Sequence, residues 1–482
     1  MSNQNTAAGA AIWSFIEKFA MQGVGFVIGI VLARLLSPTD YGTVGLAAIF
    51  LAICNVFIEA GFGNAIIRKT DRTENDLSTA LIFNASVGFV MFVILWFASY
   101  LIADFFDEPL LVPLVRIAGL NLFIASLCIV QNSLLTVNLQ IKVQTIISLS
   151  AQIPSGIIAI FLAYYGFGVY SLALQTLIGT IIRSTLIWYV AKWKPTTGWS
   201  NVSFHYLWGY GSKLLGANLI GITFDRLYGF LIGKYIGKAE LGYFSKGDNL
   251  NNQVFSVFTG MVQRIALPIL SRNQDNKALL AANFREAMRL LVMTNAIIAA
   301  YMFIEARDIV VLLWTEKWLA AADAFRLLAI ASVWAPVTNL SLNLLMAVGR
   351  TDIVLKLEIP KKLIYVVLIF IGFQYGVNGL CCSIIGINVV ASIINMWATK
   401  KIITYSYFQQ MLDILKYMLI ALVLAMSLKL LCNFDTPLFN ILILIIPLFG
   451  LYFIILFLTK DAVAVKYLNK VYTGAVSVIR KH

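Results

Sequence analysis

The chain has 482 residues, of which 60% are hydrophobic and only 12% charged, against about 25% charged in a soluble domain. Mean hydropathy is +0.86. A helical span takes ~20 apolar residues, so about fourteen spans need roughly 280, which is close to the whole apolar share. The composition predicts an all-α polytopic membrane protein. It excludes a soluble enzyme with a tail anchor, and a β-barrel, whose alternating strands carry a much weaker hydropathy signal.

Fourteen spans are predicted in chain order. Six lie near 12–35, 43–66, 79–103, 110–135, 143–165 and 168–192, and six more near 207–236, 249–271, 284–313, 320–348, 356–374 and 376–399. A final pair lies near 411–432 and 437–459. The first run is interrupted by Glu17 and Lys18 and lacks a basic start, so it reads as a retained span and not as a cleaved signal peptide. The eighth stretch is the most polar, with Asn249, Asn251, Asn252 and Arg264, and needs neighbours on one side.

The net charge of +13 reflects topology and not nucleic acid, because the basic residues sit in short loops, where cytoplasmic segments collect Lys and Arg. With the N-terminus inside, 24 basic residues fall on inner segments and nine on outer ones. Both termini are therefore expected in the cytoplasm. The five cysteines, at 54, 128, 381, 382 and 432, all lie in apolar runs and read as small buried hydrophobes.

The chain repeats itself at an offset of 200. Gly29, Arg34, Asp40 and Gly42 align with Gly229, Lys234, Glu240 and Gly242. Six spans per repeat is an even number, so the halves run parallel, with substrate handled near the midplane between them. The expected domains are a six-helix lobe over 1–203, a second over 204–402, and a helix pair with a basic cytoplasmic tail over 403–482. Such an architecture reads as a transporter.

Catalytic equipment is thin. The only histidines are His205 and His482, so an HExxH zinc site is impossible, and neither a Walker A loop, a dinucleotide fingerprint nor a GxSxG elbow is present. No catalytic residue, metal site or cofactor is expected. The informative residues are charges inside spans, since each costs ~2.5–3.5 kcal/mol at a helix centre. Arg183 lies ~13 Å from the inner end of its span at 1.5 Å per residue. Arg226 and Asp225 lie deep in the seventh span, and Lys213 nearer its inner end. Arg183 and Arg226 either line a cavity or form buried structural pairs, and Lys213 either joins them or snorkels. Asp225, Glu17 and Glu59 are candidates for ion coupling or for charge partners. Gly216 and Gly221 are candidate hinges in a glycine-rich span, whereas Gly25 with Gly29, and Gly229 with Gly233, fit close packing.

Several stretches resemble a known family: VLARLLSP at 31–38 with Tyr41 and Gly42, EAGFGNAIIR at 59–68, LGYFSK at 241–246, EKW at 316–318 before RLL at 326–328, and LLMAVGR at 344–350. In order and spacing they are similar to polysaccharide flippases of the lipopolysaccharide and O-antigen exporter type, within the multidrug/oligosaccharidyl-lipid/polysaccharide exporter superfamily. The resemblance implies translocation of an undecaprenyl-diphosphate-linked oligosaccharide from the inner to the outer leaflet of a bacterial cytoplasmic membrane. It also implies membrane lipids, a glycan polymerase and glycosyltransferases as partners. A cation-coupled multidrug exporter of the same superfamily and a non-transporting scaffold for glycan assembly are the alternatives. The first would carry more buried carboxylates than cations, and the second would need no buried charge.

Overall fold

The structure is a computed structural model. It describes residues 2–59, 62–274, 276–431, 436–467 and 469, with side chains placed except at 2–18, 213, 217, 257, 258, 261–268, 351 and 355. Everything described is helix or connecting turn, as an apolar chain requires when its backbone must satisfy its own polar groups in lipid. Among the described residues eight helices are long and apolar enough to cross a membrane, counting Pro38–Arg68 as one span, and a bent pair makes a ninth candidate. Each of the fourteen predicted stretches coincides with one helix or with a consecutive pair of helices.

Two compact units divide the chain, Met1–Ser245 and Lys246–His482. The first holds α1 (Ser2–Leu35), α2 (Pro38–Glu59), α3 (Phe62–Arg68), α4 (Glu74–Phe106), α5 (Leu111–Ser126), α6 (Ile129–Val137), α7 (Ile141–Tyr164), α8 (Val169–Ala191) and α9 (Asn201–Leu231). Within it α1 packs on α7, α7 on α8, α8 on α5, and α5 on α2 and α4. The α3–α4 corner is made by sequence. Thr73 caps α4 in a reciprocal box with Asp76, and Lys69 reaches the same Asp76 carboxylate at 2.7 Å. The side chain of Ser200 caps α9, and its N–H donates to Thr79 Oγ1 at 3.0 Å. The start of α9, the first span of the expected second lobe, is thus docked on α4, and its length packs on α2 and α3 as well.

A π-helical turn, Ile232–Ile236, follows α9 and leads through Gly237 into α10 (Lys238–Arg272). Here the two glycines aligned by the repeat meet. A Cβ on Gly42 would lie 1.7 Å from the Lys238 carbonyl oxygen, and one on Gly242 would lie 2.0 Å from that of Pro38. The starts of α2 and α10 therefore cross at backbone contact distance, which only residues without a side chain allow. Gly233 packs equally tightly, its Cβ position 2.3 Å from Leu46.

In the second unit α11 (Lys277–Trp314) packs on α12 (Ala321–Ala347), α12 on α14 (Gly376–Thr399), and α14 on α13 (Thr351–Phe373). The final pair, α15 (Tyr407–Leu431) and α16 (Pro437–Leu458), lies on α11. Charge fastens it at both ends. At one end Asp413 holds Arg289 at 2.8 Å and Arg285 at 3.2 Å. Just beyond α16, Asp461 takes Lys416 at 2.7 Å and the Tyr417 hydroxyl at 2.9 Å. At the other end Lys429 bridges Glu305 at 2.8 Å and Asp308 at 3.0 Å, and Asn440 donates to the same Asp308 at 2.9 Å.

Candidate functional site

The fourth predicted span is not one rod. It is broken at Leu127 and Cys128, where α5 and α6 meet at 44°. The N–H groups of Leu127 and Cys128 turn back onto the carbonyls of Ile124 and Ala125, at 3.3 and 3.1 Å, so the last turn of α5 closes on itself. Irregular backbone within an apolar span is tolerated where it is buried in protein or lines a polar cavity, and here it lines one.

That cavity, of about 200 Å³, is walled by α2, by the α5–α6 break and by α8. Its polar groups are Asn55 and Glu59 from α2, Asn132 from the first turn of α6, and Thr180, Arg183 and Ser184 from α8. Helical spacing produces each wall, because residues three and four apart share a face. Asn55 Nδ2 donates to Glu59 Oε1 at 2.9 Å. The Gln144 amide donates to Asn132 Oδ1 at 3.2 Å, which leaves the Asn132 amide N–H groups as donors. The N-terminal end of α6 adds the positive pole of its peptide dipoles.

Arg183 lies eight residues from the end of α8 at Ala191, or ~12 Å along the axis. It shares the cavity with Glu59, yet neither forms an ion pair with a described residue. The pocket thus presents a guanidinium, an amide and a helix N-terminus as donors, with the one carboxylate turned toward Asn55. Its donors suit an oxyanion, and Arg offers the planar fork that phosphate oxygens match bidentately.

The other candidates are placed as follows. Arg226 and Asp225 are exposed on α9, line neither this cavity nor each other's side, and make no hydrogen bond or ion pair with a described residue. Gly216 and Gly221 have open space around their Cβ positions, and α9 runs through both as one uninterrupted helix. The backbone irregularity comes later, at the π-helical turn and at Gly237, whose φ is +150°. The side chains of Glu17 and Lys213 lie outside the described ones. Among the described residues no group of three His, Cys, Asp or Glu is placed to hold a metal ion.

Sequence reasoning found Arg183 and Glu59 but not that they share a cavity, and it missed Asn55, Asn132, Thr180 and Ser184. The usable signal was positional. Thr180, Arg183 and Ser184 fall at i, i+3 and i+4, and Asn55 and Glu59 at i and i+4, each set on one helix face.

Comparison with known proteins bears on this arrangement. A family described as polysaccharide biosynthesis protein matches residues 31–323. The teichuronic acid biosynthesis protein TuaB of Bacillus subtilis is 24% identical over 418 residues, covering 83% of this chain and 84% of its own. The lipopolysaccharide biosynthesis protein WzxC of Escherichia coli is 22% identical, covering 86% and 85%. Among solved structures, the lipid II flippase MurJ in an inward closed conformation superposes with a TM-score of 0.76 at 14% identity. The match covers 94% of this chain and all of that one. An inward-facing multidrug transporter of the MATE family gives 0.65 at 19% identity, over 80% of this chain and 98% of its own.

Proposed function

The chain belongs to the polysaccharide biosynthesis protein family, and from that premise we propose that it is a flippase. Its substrate in this reading is an undecaprenyl-diphosphate-linked oligosaccharide, carried from the inner to the outer leaflet of a bacterial cytoplasmic membrane for surface polysaccharide or lipopolysaccharide biosynthesis. The observation that supports it is the Arg183 cavity. A guanidinium well inside its span, with no carboxylate partner among the described residues and beside a helix N-terminus and an amide donor, provides for a diphosphate what water provides outside the membrane. Export proceeds by alternating access of a cationic cavity served by the lobes at 1–203 and 204–402, with Arg226 and Lys213 as further cations and Gly216 and Gly221 as hinges. Glu17, Glu59 and Asp225 supply the counter-charge. No bond of the substrate changes, so the protein is not an enzyme. Glycosyltransferases supply the substrate and a glycan polymerase consumes the product. Both termini face the cytoplasm in this reading, which the 24-to-nine distribution of basic residues supports.

The test is a substitution series at Arg183 and Arg226 in a strain whose surface glycan depends on this chain. Arg183→Gln removes the fork and the charge, and surface glycan falls strongly at unchanged protein level. Arg183→Lys keeps the charge but loses the fork and ranks between. Normal surface glycan in the Arg183→Gln, Arg226→Gln double variant overturns the cationic-cavity mechanism.

A further inference from the structure

On the opposite side of α2 from the polar cavity lies an apolar groove. Phe57 lines it, and sits about 200° around the helix from Asn55 at 100° per residue. One wall is the α4 face that includes Ser86 and Val90, and the other is Trp208 and Leu215 of α9, with Trp199 at the mouth. The groove holds about 520 Å³, and Val90 is 51% exposed along it. Its aromatic end is stiff. Phe83 stacks on Phe62 at 4.2 Å between centroids and meets the Trp208 ring at 5.8 Å, so the shape exists before any occupant arrives.

Basic residues lie on the segments that flank this end. The Arg68 guanidinium lies 5.2 Å over the ring of Tyr210, two residues beyond Trp208. The indole N–H of Trp193 donates to Glu74 at 2.9 Å, which fixes the loop carrying Lys192 and Lys194 beside the start of α4. Both lysines are exposed, and neither has a partner among the described residues. An apolar channel flanked by basic residues fits an amphiphile with an anionic head.

We propose that this groove is the loading site for the isoprenoid chain of a polyprenyl diphosphate, with the diphosphate at Arg68, Lys192 and Lys194. The proposal rests on the flippase reading and names where the substrate first docks. Chain number selects the occupant. A phospholipid brings two acyl chains per phosphate, and one groove leaves the second without a berth, whereas a polyprenyl diphosphate brings a single chain and a more highly charged head. Among the described residues these cations are unpaired or held only by a ring, so a diphosphate meets them without first breaking an ion pair.

The experiment uses the full chain in phosphatidylethanolamine nanodiscs, with a benzophenone amino acid replacing Val90 and, as control, Leu101, an exposed residue of α4 outside the groove. The probes are undecaprenyl diphosphate and dioleoylphosphatidylglycerol, and adducts are identified by mass spectrometry. Position 90 is expected to capture undecaprenyl diphosphate even with phosphatidylglycerol in large excess, while position 101 captures both without preference. Ser86→Trp, an exposed position whose larger side chain fills the groove, abolishes the polyprenyl adduct. Replacing Arg68, Lys192 and Lys194 together with Gln weakens its capture about tenfold, equal to ~1.4 kcal/mol. Equal capture of the two lipids at position 90, or capture indifferent to Ser86→Trp, overturns the proposal. The flippase reading fails separately: capture at position 90 combined with normal glycan in the double arginine variant removes the cavity mechanism alone. Absence of capture combined with loss of glycan on Arg183→Gln removes the groove alone.

Discussion

Two groups of charges, one in each unit, are handled differently. In Lys246–His482 the deep carboxylates are matched. Asp413 faces two arginines, and Asp461 has a lysine, a tyrosine hydroxyl and the N–H groups of Val463 and Ala464 at 3.1 and 3.2 Å. Glu305 and Asp308 share Lys429. In Met1–Ser245 the buried Asp76 is matched too, by Lys69, whereas Arg183, exposed to its cavity, shares that cavity with Glu59 and pairs with nothing described. Stranding one member of a buried ion pair costs ~3–5 kcal/mol, a cost that an arginine open to a polar cavity does not carry. Matched clusters hold α15 and α16 on α11, while the unmatched arginine is available to a ligand. A charge in a membrane span therefore shows its role only once its partners are counted.

That contrast is broken most forcefully in the second unit. Asp461→Ala removes the anion shared by Lys416 and Tyr417 and approached by Arg289 at 4.0 Å, and losing one partner of a buried pair costs ~3–5 kcal/mol. Asp413→Ala, which strands Arg285 and Arg289, belongs to the same class. Both variants should melt well below the parent in detergent and be depleted from the membrane. An unchanged melting temperature in both would remove the distinction drawn here.

Close packing gives the next effect. Gly42→Val or Gly242→Val places methyl groups where the partner backbone already lies, within 1.7–2.0 Å. Backbone cannot rotate aside as a side chain does, so the cost is at least the ~1–3 kcal/mol typical of overpacking. Gly216→Ala serves as control, since nothing lies within 4 Å of its Cβ position, and it should leave the melting temperature unchanged or raise it.

Acid sharpens the same comparison more gently. Burial pushes the Asp461 carboxyl upward, but Lys416, the Ala464 N–H and Tyr417 outweigh it and hold the group below the usual aspartate range. Its contribution is therefore fully present above the unfolded value of about 3.9 and is lost as pH falls through the lower, folded value. Melting temperature should decline below pH ~4, and Asp461→Asn should flatten part of that decline. An identical acid profile in the variant would show that the carboxylate is not held as its contacts require.

The sequence made some of this legible and hid the rest for physical reasons. Span positions were readable because hydropathy over twenty residues is a strong signal, and Arg183 stood out because an arginine in such a run is costly. The α5–α6 break was not readable: Leu127 and Cys128 are apolar, and neither glycine nor proline marks the bend. Nor were the clusters of the final pair, since Asp413 and Arg289 are 124 residues apart and each looks like an ordinary charge near a span end. Asn132 and Thr180 were hidden because amides and hydroxyls barely lower hydropathy. The repeat was visible as matched glycines at 42 and 242, but only the folded chain brings those two glycines into mutual contact.

The smallest expected effect carries the most weight. Arg183→Gln should leave the melting temperature within error of the parent, although it removes a charge from deep in a span. The reasoning is one of partners. No carboxylate lies within ion-pair distance of the guanidinium among the described residues, so its removal strands nothing, and Glu59 keeps the Asn55 amide. A glutamine at 183 still offers donors to the cavity and no longer carries the insertion cost of a cation. Arg350→Ala is the reference for an ordinary surface pair, because Arg350 and Asp352 meet at 3.1 Å with both side chains exposed, and its melting temperature should also be unchanged. The two variants then differ only in export, which Arg183→Gln loses and Arg350→Ala keeps. If Arg183→Gln instead lowers the melting temperature, and Glu59→Gln restores it in the double variant, the arginine is cohesive like those that hold Asp413, and its cavity loses its distinction from the clusters of the second unit.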